Sequence, residues 1–207
     1  MQVVDLVESA YRGERSRSGW TTEADLIDGQ RVDEAMVREK LADPRAVLLV
    51  GQGGLDGEDD DGEHDDDRTR LGDEHDRQTD GIVACCEVRL VEDGNEREGG
   101  HAEFGLFAVS PDQQGQGWGR RMLDAAERLA REEWGAATLQ MSVIEQRAEL
   151  IDWYRRRGYE PTGERRPFPY GDERFGRPRR DDLCFVVLAK SLAPATPRPP
   201  ARRSPER

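Results

Sequence analysis

The spacing of apolar residues along the chain predicts helices and strands in alternation. Five apolar residues recur at helical intervals near the N-terminus: Val3, Leu6, Val7, Ala10 and Tyr11. This spacing predicts a short amphipathic helix over residues 3–11 that ends near Gly13. A second helix is predicted from Asp33, its N-cap, to Leu41, because a residue that precedes proline, here Asp43, disfavours helical geometry.

Runs of apolar and β-branched residues predict the strands. They lie at residues 46–51, 81–91 and 102–109, and the last two are predicted to pair as a hairpin across the turn-rich residues 92–100. Further along, the pattern predicts a helix over 117–134, a strand over 138–143, a helix over 147–157 and a strand over 182–188. Gly158 directly follows the predicted helix over 147–157, at the position of a left-handed C-terminal cap.

Composition adds two segments that are not expected to fold. Residues 56–76 hold 12 Asp or Glu and 2 Arg, a net charge of −10 out of −13 for the whole chain of 207 residues. Such a stretch cannot bury enough apolar surface to offset its ordering entropy, so residues 53–80 are predicted to form a disordered loop insertion. The tail, residues 191–207, carries five Pro and four Arg without periodicity and is also predicted to be disordered.

Charge and cysteine content narrow the classes of protein. No apolar run approaches the roughly 20 residues of a membrane helix, and no signal peptide pattern is present, so a soluble cytoplasmic protein without membrane contact is expected. The acidic balance argues against nonspecific binding of nucleic acid. Cys85, Cys86 and Cys184 match neither a disulfide framework nor a metal site, and His64 and His75 are interpreted as part of a solvated charge run. No metal is therefore expected.

The most informative stretch joins a predicted strand to a predicted helix. It reads Val109-Ser110-Pro111-Asp112-Gln113-Gln114-Gly115-Gln116-Gly117-Trp118-Gly119-Arg120. Glycines allow close approach of the backbone to a ligand, and the N–H groups at a helix N-terminus favour an anion such as phosphate. The spacing is neither the dinucleotide fingerprint nor a P-loop. Taken alone, it is also compatible with an ordinary glycine-rich helix cap.

A second motif makes the pattern more specific. Tyr154, Gly158 and Tyr159 follow about 35 residues after the glycine stretch. Together, the two motifs resemble the GNAT superfamily of acyl-CoA N-acyltransferases, in which Gln/Arg-x-x-Gly-x-Gly/Ala binds pyrophosphate and a later helix reads Tyr-x-x-x-Gly-Phe/Tyr. Gln114, Gly117 and Gly119 match the first motif, and the resemblance covers about residues 3–190.

The resemblance implies an α/β (α+β) fold in one domain, residues 1–190, with a mixed, mostly antiparallel, splayed sheet flanked by helices. It implies acetyl-CoA as cosubstrate, held by backbone groups and side chains of two segments: Phe107, Ala108 and Val109, and Gln114, Gly115, Gln116, Gly117, Trp118, Gly119 and Arg120. The chain departs from the family in three ways, one of which is the acidic loop. Its first helix begins almost at Met1 where the family usually opens with a strand, and Arg147 stands where many members have Asn.

Two residues are candidates for proton transfer. A lysine-like amine of pKa about 10.4 must lose a proton before it attacks, and Glu103, on the strand that leads to Val109, is predicted to be the base. Regular alternation places Glu103 on the face of Gly105 and Phe107, and a bulge, which the resemblance implies near this position, is the alternative that would change this phase. The departing CoA thiolate gains from a proton, and Tyr154, a phenol of pKa about 10, is predicted to be the acid. Solvated or packed side chains are the alternatives for both.

The connection between the first two helices is the candidate acceptor site. Trp20 and Glu23 are predicted to hold a cationic amine through cation–π and charge attraction, with a Trp that closes the core edge as the alternative. The predicted function is direct acetyl transfer from acetyl-CoA to the primary amine of a small molecule or peptide. A noncatalytic CoA-binding or protein-interaction module is the alternative, and hydrolysis or another acyl chain is a third possibility. The acceptor and the oligomeric state are not readable from the sequence.

Overall fold

The computed structural model describes residues 1–53, 81–91 and 100–192. The predictions of disorder for the acidic loop and for the tail fall almost entirely outside these residues. Within them, the helices are α1 (Gln2–Tyr11), α2 (Gly13–Ser16), α3 (Glu34–Ala42), α4 (Trp118–Arg128) and α5 (Ala148–Arg155). The strands are β1 (Ile27–Asp28), β2 (Ala46–Gln52), β3 (Ile82–Val91), β4 (His101–Val109), β5 (Thr138–Ile144), β6 (Glu160–Pro167), β7 (Arg177–Pro178) and β8 (Cys184–Ser191).

Local sequence signals account for most of these boundaries. The Asp33 side chain accepts a hydrogen bond from the Met36 N–H at 2.8 Å, which confirms the predicted cap of α3. Gly158 follows α5 with φ +87°, the left-handed conformation that favours glycine. The predicted helix after Gly117 is α-helical to Arg128 and ends in a π-helical turn, Leu129–Glu133.

Six strands form one mixed sheet in the order β2-β3-β4-β5-β8-β6. The β3–β4 hairpin is confirmed, and β4–β5 is the parallel pair among antiparallel ones. Strands β4 and β5 pair only from His101–Thr138 to Glu103–Gln140. Beyond this point they separate, so the sheet opens between the C-terminal halves of the two strands.

A bulge in β4 lies beside this opening. Cys85 pairs with Ala108 and Glu87 pairs with Gly105, so β4 carries one residue more than β3 over this interval. Leu106, inside the bulge, has φ +43°. The bulge brings the rings of Phe104 and Phe107 onto one face, with centroids 5.2 Å apart.

The helices cover both faces of the sheet. Helices α4 and α5 pack over one core that includes Cys86, and α1 and α3 pack over a second core that includes Cys85. The two adjacent cysteines thus point to opposite faces of the sheet. Both side chains are buried, and burial raises the pKa of the Cys85 thiol to about 12, so it remains protonated.

Two parts of the fold were not predicted. Strand β6 pairs with β8 at the sheet edge, but its residues are almost all exposed, so its sequence shows no apolar alternation. Strands β1 and β7 form a separate two-stranded sheet of two residues each. In the described part of the chain, no helix is long and apolar enough to cross a membrane, and no cluster of three metal-ligating side chains occurs.

Candidate functional site

The glycine stretch forms an open turn at the start of α4. Gly115 and Gly117 have φ of +82° and +83°, which places both in the left-handed region. Gly117 is the N-cap of α4 and supplies no side chain to cap the helix. The first N–H groups of the helix, which have no partner inside it, are thus left available for a ligand with negative charge.

A groove of about 250 Å³ runs from this turn along the end of β4. Most of the residues predicted to bind the cosubstrate line it: Phe107, Ala108, Val109, Gln114, Gly115, Gly117, Gly119 and Arg120. Gln116 and Trp118 are not among its lining residues. The Trp118 ring instead lies against Gly51 and beneath the Arg121 guanidinium, which is 4.1 Å from the ring centre. We call this space the α4 groove.

The Gln114 side chain fixes one wall of the α4 groove. Its Nε2 donates to the Val109 carbonyl at 3.2 Å and to the Thr21 hydroxyl at 2.9 Å. Its Oε1 accepts from the Trp20 N–H at 3.0 Å. Gln114 therefore ties the loop that carries Trp20 to the end of β4, a structural role that the sequence motif does not reveal.

Cationic and aromatic side chains form the other wall. The Arg157 guanidinium lies 3.5 Å from the centre of the Trp153 ring, and its Nε is buried with no hydrogen-bond partner among the described residues. Burial, together with the nearby charges of Arg156 and Arg120, lowers the pKa of Arg157. An anionic ligand in the groove would relieve this repulsion, so the groove suits a phosphate-bearing molecule.

A second space adjoins the α4 groove where the sheet opens. This inner cavity, about 60 Å³, shares Tyr11, Phe107 and Leu150 with the groove. Tyr154 also lines it and is buried, which raises the pKa of its hydroxyl and keeps it protonated. The Tyr11 hydroxyl donates to the Phe107 carbonyl on the β4 edge. Tyr11 thus lines both the groove and the inner cavity, and Tyr154 lines the inner cavity, where the sheet opens between β4 and β5.

A buried carboxylate and three arginines stand behind these phenols. Glu23, 2% exposed, accepts from Arg12 Nη1 at 2.7 Å and from Arg31 Nη1 and Arg147 Nη1, both at 3.0 Å. Burial acts to raise the pKa of Glu23, but the charges of Arg31, Arg147 and Arg12 outweigh it and lower the pKa below its usual value. Glu23 is therefore ionised and fully engaged.

The comparison with protein families matches this architecture. The family model described as Acetyltransferase (GNAT) family matches residues 36–159, more than half of the chain. The chain belongs to the GNAT acetyltransferase family. The resemblance inferred from Gln114, Gly117 and Gly119 is thereby confirmed, as is the α/β fold.

Solved structures of GNAT proteins are similar at low identity. A nourseothricin acetyltransferase is 22% identical, with 56% of this chain and 61% of that chain covered and a TM-score of 0.44. The ribosomal-protein-S18-alanine N-acetyltransferase from Escherichia coli is 25% identical, with 58% and 68% covered and a TM-score of 0.42. A spermidine N-acetyltransferase from Vibrio cholerae is 14% identical, with 77% and 73% covered and a TM-score of 0.47. A comparison with curated proteins gives no match.

The two predicted acceptor residues of this GNAT chain are not brought together. Trp20 is 43% exposed and lines the α4 groove, with its ring 6.2 Å from that of Trp153. Glu23 faces the inner cavity, where its three arginine partners already neutralise it. Glu23 is therefore paired with three arginines rather than available to a cationic amine, and of these partners only Arg147 is far away in the chain.

Glu103 lies on β4, the strand on which it was predicted, but its side chain is held by arginines. It lines an outer cavity of about 620 Å³, accepts from Arg166 Nη1 at 3.3 Å and is ion-paired with Arg89. Burial acts to raise its pKa, but these two arginines outweigh that effect and lower it. The expectation that Glu103 shares a face with Phe107 is wrong, because the β4 bulge reverses the alternation between them.

Several residues that line the inner cavity and the α4 groove were missed. Tyr11 was assigned only to the apolar face of its helix, and Arg31 carried no local signal. Arg147 could have been found, because it stands where many GNAT members have Asn and its side chain enters the inner cavity. Trp153 and Arg157 lie on either side of Tyr154, one of the motif residues, and face the groove.

Proposed function

We propose that this protein transfers an acetyl group from acetyl-CoA to a primary amine by direct attack. One observation carries the proposal: the anion-binding turn at α4 opens into a groove that ends at the gap between β4 and β5, beside buried Tyr154. In support of the proposal, phosphate bound at the turn and a proton supplied by Tyr154 would act at opposite ends of this path.

The chain's own residues suit the parts of acetyl-CoA. The N–H groups at the start of α4, with Arg120 and Arg157, would hold the pyrophosphate, and the backbone of Phe107–Val109 would hold the pantetheine arm. Acetyl-CoA supplies a thioester-activated acetyl group, whose C–S bond breaks as the C–N bond to the amine forms. The amine gives up one proton, and the departing sulfur takes one.

Tyr154 is proposed as the source of the proton for sulfur. Its raised pKa keeps the hydroxyl protonated at neutral pH, as a general acid requires. Tyr11 is proposed to position the β4 edge, since its hydroxyl holds the Phe107 carbonyl. Neither role needs the side chain to move out of the inner cavity.

Gly117→Glu tests the binding half of the proposal. A carboxylate at the start of α4 would repel phosphate, so we expect acetyl-CoA to bind at least about 10-fold more weakly by isothermal titration, a loss of roughly 1.4 kcal/mol. Gly163→Glu is the matched control, because Gly163 has φ +87° and open space around it like Gly117 but does not line the groove. Equal affinity in both variants would contradict the proposed pyrophosphate site.

CoA release with a library of amines tests the catalytic half. Acetyl-CoA binding with release for at least one amine class supports the enzyme. Binding without release for any amine would instead support a noncatalytic CoA-binding module. Both measurements use the same protein samples, so a failure of binding and a failure of turnover are told apart.

Glu103→Gln tests the predicted base. Because two arginines hold this carboxylate and lower its pKa, we expect less than about a threefold change in kcat/KM, well short of the roughly 10²–10⁴-fold contribution of a general base. The control is Glu164→Gln, which removes the other acidic partner of Arg166. A loss of general-base size in Glu103→Gln alone would establish the base after all.

A further inference from the structure

The inner cavity has more positive than negative charge. The charged residues among its described lining are Glu23, Arg31 and Arg147, one acid against two bases. Behind them, Arg12 adds a third positive charge, and Glu8 contributes the second carboxylate of the network. Three guanidinium groups thus face two carboxylates in a largely buried region.

This network is short of hydrogen-bond acceptors. The Arg12 side chain is 7% exposed, yet its Nε and Nη2 are buried with no partner among the described residues. Glu8 Oε1 already accepts from the backbone N–H groups of Arg31 and Val32, at 2.5 and 2.8 Å. Arg12 does not line the inner cavity, so an anion bound there would add negative charge to the network without accepting from these two donors.

Arg31 is the member best placed to receive that anion. It lines the inner cavity, and its side chain keeps 34% of its surface exposed while Nη1 donates to Glu23. A guanidinium has five N–H donors in a planar fork that matches a carboxylate. Arg147, on the same cavity, is held by Glu23 and by the Thr21 carbonyl at 2.7 Å, so its position is fixed.

We propose that the acceptor is an amine that also carries a carboxylate, as a free amino acid does, and that Arg31 with Arg147 binds this carboxylate in the inner cavity. The inference rests on the proposed acetyl transfer. The cavity is small and adjoins the groove at Phe107, so the amine nitrogen would lie toward the acetyl group. The rest of the molecule can extend into the outer cavity, which shares Gly105, Leu106 and Ser142 with the inner one.

The charges that line the inner cavity agree with this substrate class. Arginine charges disfavour an ammonium group in the cavity, and the carboxylate that lines it, Glu23, is fully ion-paired. An acceptor with several positive charges would be repelled.

The test compares L-amino acids with their amides and with spermidine, by CoA release in wild type, Arg31→Gln and Arg38→Gln. We expect the wild type to favour at least one amino acid over its amide by roughly 10–100-fold in kcat/KM, the size of a charge-assisted hydrogen bond. Arg31→Gln is expected to bring the ratio near one through KM for the acid, with acetyl-CoA affinity unchanged. Arg38, 73% exposed on α3, is the matched control and should leave the ratio unchanged.

Loss of discrimination between the acid and its amide overturns the inference. If amides or spermidine gave the same kcat/KM as amino acids, the protein would not recognise a carboxylate. A preference for amides would indicate that the acceptor is a peptide N-terminus. If no amine releases CoA, the proposed function fails by itself. Titration of the amino acids into CoA-loaded protein then decides the inference: binding that depends on Arg31 supports the carboxylate site, and its absence overturns it.

Discussion

Tyr154→Phe is expected to lower the rate of acetyl transfer by roughly 10²–10⁴-fold, the usual contribution of a general acid, with acetyl-CoA affinity unchanged. Tyr154 lines the inner cavity, which adjoins the α4 groove, and its ring packs on Trp153 and Tyr159 with centroids 5.0 and 5.9 Å away. Phenylalanine keeps these ring contacts and removes the proton. Single-turnover acetyl transfer measures the step without interference from product release.

The pH profile separates an acid from a packing residue. Because burial raises the pKa of Tyr154, the hydroxyl stays protonated beyond the ordinary tyrosine value of about 10, and the wild-type rate should not fall there through loss of this proton. Tyr170→Phe, at a half-exposed tyrosine outside the inner cavity and the α4 groove, is the control. An unchanged single-turnover rate in Tyr154→Phe would refute the acid assignment.

The elements with strong local signals were predictable. Helix α3 begins at an Asp cap and ends before Pro44, and α4 follows a glycine turn. Residues next to each helix therefore indicate both where it begins or ends and that it is a helix. Strand β6 was not predictable, because its residues are almost all exposed and it joins the sheet through pairing with β8. Its backbone hydrogen bonds are nonlocal, and no side-chain period marks them.

The residues of the candidate site also fall into those that local sequence could identify and those that it could not. The residues of the glycine turn follow one another in the chain, so spacing alone located them. The charge network joins Arg12, Glu23, Arg31 and Arg147, which only the folded chain brings together. The face of Glu103 was misassigned because a single extra residue in β4 changes the phase of everything after it.

Glu23→Gln is expected to destabilise the fold by about 3–5 kcal/mol at pH 7, the usual effect of removing one partner from a buried ion pair. The substitution leaves Arg12 and Arg147, both nearly buried, without their counter-charge. Urea unfolding gives the difference in free energy. Glu34→Gln, at a half-exposed acid paired with Arg38, is the control and should stay within about 1 kcal/mol of wild type.

The pH dependence of this difference tests its electrostatic origin. The pKa of Glu23 is lower in the folded state than the ordinary 4.5, so its stabilising contribution is complete above that pH and disappears as the pH falls through the lower folded value. The gap between wild type and Glu23→Gln should therefore narrow below about pH 4.5, while the arginines remain charged. A gap that stays constant with pH would mean that shape rather than charge holds the network together.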